Sequence, residues 1–325
     1  MYIFTEDDIR QCVHLDSDVI SVIETAFSDL ALRSVVTPSI MRIDIPEYEG
    51  EVDIKSAYVP GKSFFAIKIS SGFFQNHLRG LKTGNGMMTL LDVQTGIPAA
   101  ILLDNGYLTD IRTAAAGAVA AKYLARQHIQ TVGVIGVGLQ ARFQIQALQK
   151  VRNFERVLVY GRKQEKIDEY IHEMSSLLGV PVISASSVES LVRKSDVIVT
   201  TTPSRSPIIE PDWLHPGLHI TAMGSDAEHK QELHPQVLAA ADMVVCDLQA
   251  QCQRLGELHH AIDQGITVNQ DQILELGKIT SGQVAGRVTD SQITICDLTG
   301  TGVQDTAIAN YAFEWLRQRE SGMRI

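Results

Sequence analysis

The spacing of apolar and polar positions changes character twice along the chain. Thr5 opens a capping box with Asp8, and apolar residues from Ile9 through Val19, Ile23 and Phe27 to Leu32 then recur at helical spacing, with a break near Leu15 and Asp16. From about residue 36 to 103, short runs (41–45, 64–69, 87–91 and 99–103) stand between Pro, Gly and Asn. These read as strands of an antiparallel or mixed sheet, and the alanine-rich stretch 110–126 returns to helix. After Thr131, apolar runs at 132–135, 156–160, 180–184, 196–201, 219–223, 243–247 and 293–297 are predicted as strands. Helical stretches at 139–151 and 163–178, and a third helix capped within 186–189, lie between the first of them. Such alternation predicts an α/β fold, a Rossmann-type doubly wound parallel sheet. The last helix, 303–319, is expected to return to the first domain.

Composition narrows the class. A length of 325 residues allows two hydrophobic cores, and 45% hydrophobic with 20% charged residues argues against broad disorder. The net charge of −10 (28 basic against 38 acidic residues) repels phosphate backbones, so no nucleic-acid partner is expected. The chain turns acidic and polar within a few residues (MYIFTEDDIR), and no apolar run approaches the ~18–20 residues that span a bilayer. A cytoplasmic enzyme without a membrane partner is expected. Cys12, Cys246, Cys252 and Cys296 form no CxxC pair and read as buried free thiols. His259, His260 and the other histidines lack ligand spacing, so no metal is expected, and there is no G-x-S-x-G nucleophile elbow.

Gly136, Gly138 and Ala141 fit G-x-G-x-x-G/A between a buried strand and a helix. Gly136 suits the tight turn, Gly138 lets backbone approach a pyrophosphate, and a small residue at 141 lets helix and strand pack closely. An acid at the end of the second strand binds a ribose 2′-hydroxyl. Here Tyr160 is followed instead by Gly161, Arg162 and Lys163, which favours NADP, with NAD as the alternative.

Three cations stand in apolar surroundings: Arg42, Lys68 and Arg112. Buried cations need anions, and a substrate carboxylate or an internal salt bridge would each serve. Asp226 follows the fifth strand at its C-terminal end, where such sheets place ligands. It is read either as a proton-handling acid or as the cap of a following helix.

These residues carry a resemblance. The stretch from Leu108 through Arg112 to Gly117, then Gly136, Gly138, Gln140 and Ala141, then Ala222 to Asp226 with Lys230 and Glu232, resembles the ornithine cyclodeaminase/mu-crystallin family nearly end to end. The stretch 102–119 looks especially like the ectoine-utilisation branch of cyclodeaminase-like proteins. The resemblance implies a smaller, discontinuous α+β domain, residues 1–112 with 303–325, that binds substrate and forms a homodimer, beside a dinucleotide-binding domain at 113–302. It implies that Arg42, Lys68 and Arg112 meet a substrate carboxylate, with Lys68 and Asp226 catalytic. Thr83, Arg112, Leu139, Gln140, Thr202, Met223 and Lys230 join Gly136, Gly138, Ala141, Gly161, Arg162 and Lys163 as the dinucleotide set. Cyclodeaminases carry an acid at the position of Gly161 and a glutamate in the segment matching 53–59, which here holds none. The expected activity is therefore an NAD(P)H-dependent imine reductase or amino-acid dehydrogenase acting on a small amino or imino acid. A cyclodeaminase and a non-catalytic mu-crystallin-like binding protein are the alternatives.

Overall fold

The Thr5 side chain and the Asp8 carboxylate cap each other's backbone at the start of α1 (Glu6–Arg10), as the sequence predicts. Asp16 then accepts from the amides of Asp18 and Val19 at 3.0 Å and starts α2 (Ser17–Leu32), which explains the break in the apolar period. The computed structural model describes residues 1–319 and 321–325. Its contacts divide the chain into two units, Met1–Arg112 with Thr301–Ile325, and Thr113–Gly300.

The first unit is built on a seven-stranded sheet. Its strands are β1 (Tyr2–Thr5), β2 (Met41–Ile45), β3 (Gly50–Ala57), β4 (Phe64–Phe73), β5 (Gly84–Asp92), β6 (Pro98–Leu103) and the short C-terminal strand Met323–Arg324. From one edge the order is C-terminal strand, β1, β6, β5, β4, β3, β2, and only the β1–β6 pair is parallel. Strand β3 is absent from the sequence reading. Glu51, Asp53 and Lys55 fall between the expected runs 41–45 and 64–69, yet the register puts them on one sheet face with Arg42 and Lys68. The helix Gly302–Gln318 packs on this face. Thr306 Oγ1 accepts from the Ala66 amide at 3.1 Å and donates to the Ala57 carbonyl at 2.9 Å. A Cβ on Gly302 would lie 2.2 Å from the Ser56 carbonyl oxygen, so glycine permits this close approach. Val303 and Ala307 of that helix are buried with Ala26, Ala57 and Val59.

The second unit contains an eight-stranded, all-parallel sheet. The strands in chain order are β7 (Thr131–Ile135), β8 (Arg156–Tyr160), β9 (Val182–Ser184), β10 (Val197–Thr200), β11 (Arg205–Ile209), β12 (His219–Ala222), β13 (Gln231–Leu233), β14 (Met243–Cys246), β15 (Ile273–Glu275) and β16 (Thr294–Asp297). The sheet order is β15-β14-β16-β12-β10-β7-β8-β9, while β11 and β13 pair separately. The run β9-β8-β7-β10-β12 has the doubly wound 3-2-1-4-5 order, reversing beside β7. Along β10, Val197 and Val199 join one apolar cluster with Val132 and Val134, whereas Ile198 joins another with Ile220 and Ile295. Both faces are covered, which is why these strands read as unbroken apolar runs. Strand β15 and the β11–β13 pair are additions to the seven strands expected in this half. The helix α3 (Tyr107–Leu124) contains the division between units, and α4 (Leu139–Gln149) follows β7. Among the described residues, no helix is long and apolar enough to cross a membrane.

Candidate functional site

The second unit places its glycine loop at the end of β7, beside the reversal in strand order. Gly136 has φ 117°, and a Cβ there would sit 2.4 Å from Thr201 Oγ1; its amide donates to the Tyr160 carbonyl at 2.9 Å. Gly136 is therefore required by the fold itself. Gly138 differs: its φ is −80°, and a Cβ would meet nothing within 4 Å. Gly138 is also the N-cap of α4 and makes no side-chain cap bond, so the first amides of the helix face a space that a side chain would fill. Ala141 is fully buried, Leu139 is exposed, and Gln140 Oε1 accepts from Gln144 at 3.4 Å. Arg142, which sequence reasoning missed, donates to the Val137 carbonyl at 2.5 Å and the Gly138 carbonyl at 3.2 Å and so ties the loop to the first turn of α4. This cradle fits a dinucleotide pyrophosphate.

Gly161 directly follows β8, with Arg162 and Lys163 exposed behind it. Thr202 and Met223 lie just past the C-terminal ends of β10 and β12. Asp226 lies in the β12–β13 connection, where no helix begins before Pro235, so the helix-cap reading is corrected. Its carboxylate instead accepts from Lys230 Nζ at 2.8 Å; the Asp226 side chain is 41% exposed and that of Lys230 8%.

In the first unit the sequence-predicted Lys68 and Arg112 come together on Asp305, which the sequence reading did not single out. Lys68 Nζ lies 3.1 and 3.0 Å from the two Asp305 oxygens, and Arg112 Nε lies 2.9 Å from Oδ1. A second Arg112 nitrogen donates to Gln304 Oε1 at 2.9 Å. All four are buried, and Lys55, also buried, stands opposite Lys68 in the β3–β4 register. Burial, and next the Arg112 charge, push the Lys68 ammonium down to about 7, against the pull of Asp305. Burial would raise Asp305, but Arg112, Lys68 and Lys55 outweigh it and hold the carboxyl below its ordinary value. Asp104, buried at the end of β6, accepts from the Leu108 amide at 2.8 Å and is pushed up to about 6 by burial. A partner search for two buried cations would have pointed to an acid such as Asp305.

Arg42 sits elsewhere on the same sheet face. Its guanidinium lies 2.9 Å from Asp44, 2.5 Å from Glu51 and 3.5 Å from Asp53, all on its own hairpin. The structure thus joins Lys68 to Arg112, and gives Arg42 carboxylate partners of its own. Thr83 precedes β5, its carbonyl accepting from the Phe73 amide at 2.9 Å. Cys246, Cys252 and Cys296 are buried free thiols and Cys12 is half-buried. Spacing gave no hint that Cys246, Cys252 and Asp297 come within 4.8 Å of one another; burial leaves the Cys252 thiol well above its ordinary value.

Comparison with known proteins gives the family and the fold. The ornithine cyclodeaminase/mu-crystallin family matches residues 2–320. An uncharacterized cyclodeaminase of Sinorhizobium fredii is 48% identical over 99% of this chain and 98% of its own. The structure of Thermococcus litoralis Delta(1)-pyrroline-2-carboxylate reductase in complex with NADH and L-proline is 27% identical, covers 100% of both chains and superposes with a TM-score of 0.94. The iminosuccinate reductase of Paracoccus denitrificans in complex with NAD+ is 31% identical over 100% of this chain and 99% of its own, with a TM-score of 0.90. The chain belongs to the ornithine cyclodeaminase/mu-crystallin family.

Proposed function

We propose that the protein is an NAD(P)H-dependent reductase of imino acids, or the reverse amino-acid dehydrogenase, working at the α-carbon of a small substrate in the cytoplasm. The observation that supports this most is the Lys68–Arg112–Asp305 cluster, in which two buried cations share one carboxylate. A substrate carboxylate completes such a cluster, and Lys68, Arg112 and Arg42 are assigned to hold it. The dinucleotide is assigned to Gly136, Gly138, Leu139, Gln140 and Ala141, with Thr202, Met223, Lys230, Thr83 and Arg112, and Arg162 and Lys163 favour NADPH. When bound, that cofactor supplies the hydride. Asp226 stabilises a protonated substrate nitrogen, and a protonated imine accepts hydride far better than a neutral one. The first unit is assigned to substrate binding and to a homodimer.

The name of the S. fredii relative favours a second reading, a cyclodeaminase that oxidises an amine, loses ammonia on ring closure and returns the hydride. One assay separates the two. With a panel of imino acids and diamino acids, a reductase consumes NADPH stoichiometrically. A cyclodeaminase releases ammonia with no net cofactor change, and neither signal would leave a binding protein.

A further inference from the structure

Beyond Thr200 and Ala222, the β10–β12 ladder makes one last bond, Met223 amide to Thr200 carbonyl at 3.1 Å, and the two strands part. The amides of Thr202 and Gly224 then have no ladder partner. Both reach one fully buried carboxylate: Glu232 Oε1 accepts from Thr202 at 2.6 Å and Oε2 from Gly224 at 2.8 Å. Oε2 also accepts from Thr200 Oγ1 at 2.6 Å. Three donors from two strand ends thus converge on one carboxylate, whereas a carboxamide would offer a single acceptor oxygen and turn N–H donors on the rest.

The approach is close enough to restrict the neighbours. A Cβ on Gly224 would lie 2.2 Å from the Thr202 carbonyl oxygen and 2.5 Å from the Glu232 carboxylate. Glu232 is itself fixed from behind, because the buried Glu257 carboxylate accepts from the amides of Glu232 at 2.8 Å and Leu233 at 3.1 Å. Burial pushes both carboxyls upward, while the Thr200, Thr202 and Gly224 donors pull Glu232 back down.

We propose that Glu232 is a positioning residue that sets the separation of the β10 and β12 ends, and so the placement of Thr202 on one and of Met223 through Asp226 on the other. This rests on the reading that Thr202 and Met223 meet the dinucleotide and Asp226 the substrate nitrogen. Glu232 has no exposed surface and acts through the backbone it holds.

Two measurements on the full-length protein test it. Hydrogen exchange without cofactor, in Glu232→Gln, should speed at the peptides containing Thr202 and Gly224 by roughly tenfold or more, with the rest of the sheet unchanged. Unchanged exchange there overturns the assignment. NADPH binding, followed by its fluorescence, should weaken about tenfold in Glu232→Gln and in Thr200→Val, and recover to about the wild-type value in Thr200→Ser, which keeps the hydroxyl donor. Equal losses in Thr200→Val and Thr200→Ser overturn it, and this pair decides the matter if Glu232→Gln does not fold. A wild-type protein that binds neither NADPH nor NADH overturns the functional reading itself, which the cofactor-free exchange measurement separates from a failure at Glu232.

Discussion

Lys68 Nζ sits 3.1 and 3.0 Å from the two carboxylate oxygens of Asp305, a residue 237 positions later in the chain. Both side chains are buried and Arg112 shares the same carboxylate, so the two cations depend on one internal anion.

That dependence gives the first prediction. Asp305→Asn leaves Lys68 and Arg112 buried without their shared anion, and should destabilise the protein by about 3–5 kcal/mol in urea unfolding. Because the folded Asp305 titrates below its ordinary value, its contribution is present above about pH 4 and is lost as pH falls through the depressed folded value. Unfolding curves for Asp305→Asn and wild type should therefore converge on acidification. A constant gap would show that the charge of Asp305 is not what stabilises.

Lys68, too, is held below its ordinary value, so its site also favours the fold more as pH rises. Held down at about 7 in the folded protein, it loses its charge as pH rises through neutrality, well before an unfolded lysine would at 10.5. The unfolded chain binds the extra proton between those values, so this site penalises the fold fully below about pH 7 and not at all above 10.5. A carboxylate substrate needs the ammonium, so its KM should rise above pH 7. Lys68→Arg, always charged, should flatten that rise. A KM profile identical in both proteins would remove Lys68 from carboxylate binding.

Two glycines of one loop should fail in different ways. Gly136→Ala puts a Cβ 2.4 Å from Thr201 Oγ1 at φ 117° and should lower stability by roughly 1–3 kcal/mol from strain alone. Gly138→Ala meets nothing and should melt like wild type, yet lose NADPH affinity. Retained affinity in a folded Gly138→Ala would place the pyrophosphate elsewhere.

Cofactor choice is tested at the end of β8. Gly161→Asp introduces a carboxylate near the expected ribose and should move preference from NADPH toward NADH in measured dissociation constants. The new Cβ meets Val137 at 3.1 Å and Ile167 at 3.3 Å, so both must yield slightly, with a stability loss of about 1 kcal/mol. Clear NADH preference in the unmodified protein would sink the assignment of Arg162 and Lys163.

Asp226→Asn preserves shape and removes the charge opposite Lys230. Turnover should fall by roughly 10²–10⁴-fold with NADPH affinity nearly unchanged. Activity within a few-fold of wild type would end the proton-handling assignment.

The sequence by itself determined the local pieces. The capping box at Thr5, the strands Met41–Ile45 and Arg156–Tyr160, and the loop from Gly136 to Ala141 were legible because helix period, strand burial and turn stereochemistry are set within a few residues. Parallel strands covered on both faces are apolar throughout, so the doubly wound sheet announced itself. What lacked a local period stayed hidden. Strand β3 alternates charged residues, of which Glu51 and Asp53 meet Arg42 on β2, and β15 and β13 are only three residues each. The partners of the buried charges were decided only in three dimensions. Asp305 reads as an ordinary polar position of a helix until that helix lies on β4, and Glu232 as one more acid until two strand ends turn their amides toward it. Propensity and period act over a few residues, whereas a buried charge is compensated by whatever the folded backbone brings within about 3 Å.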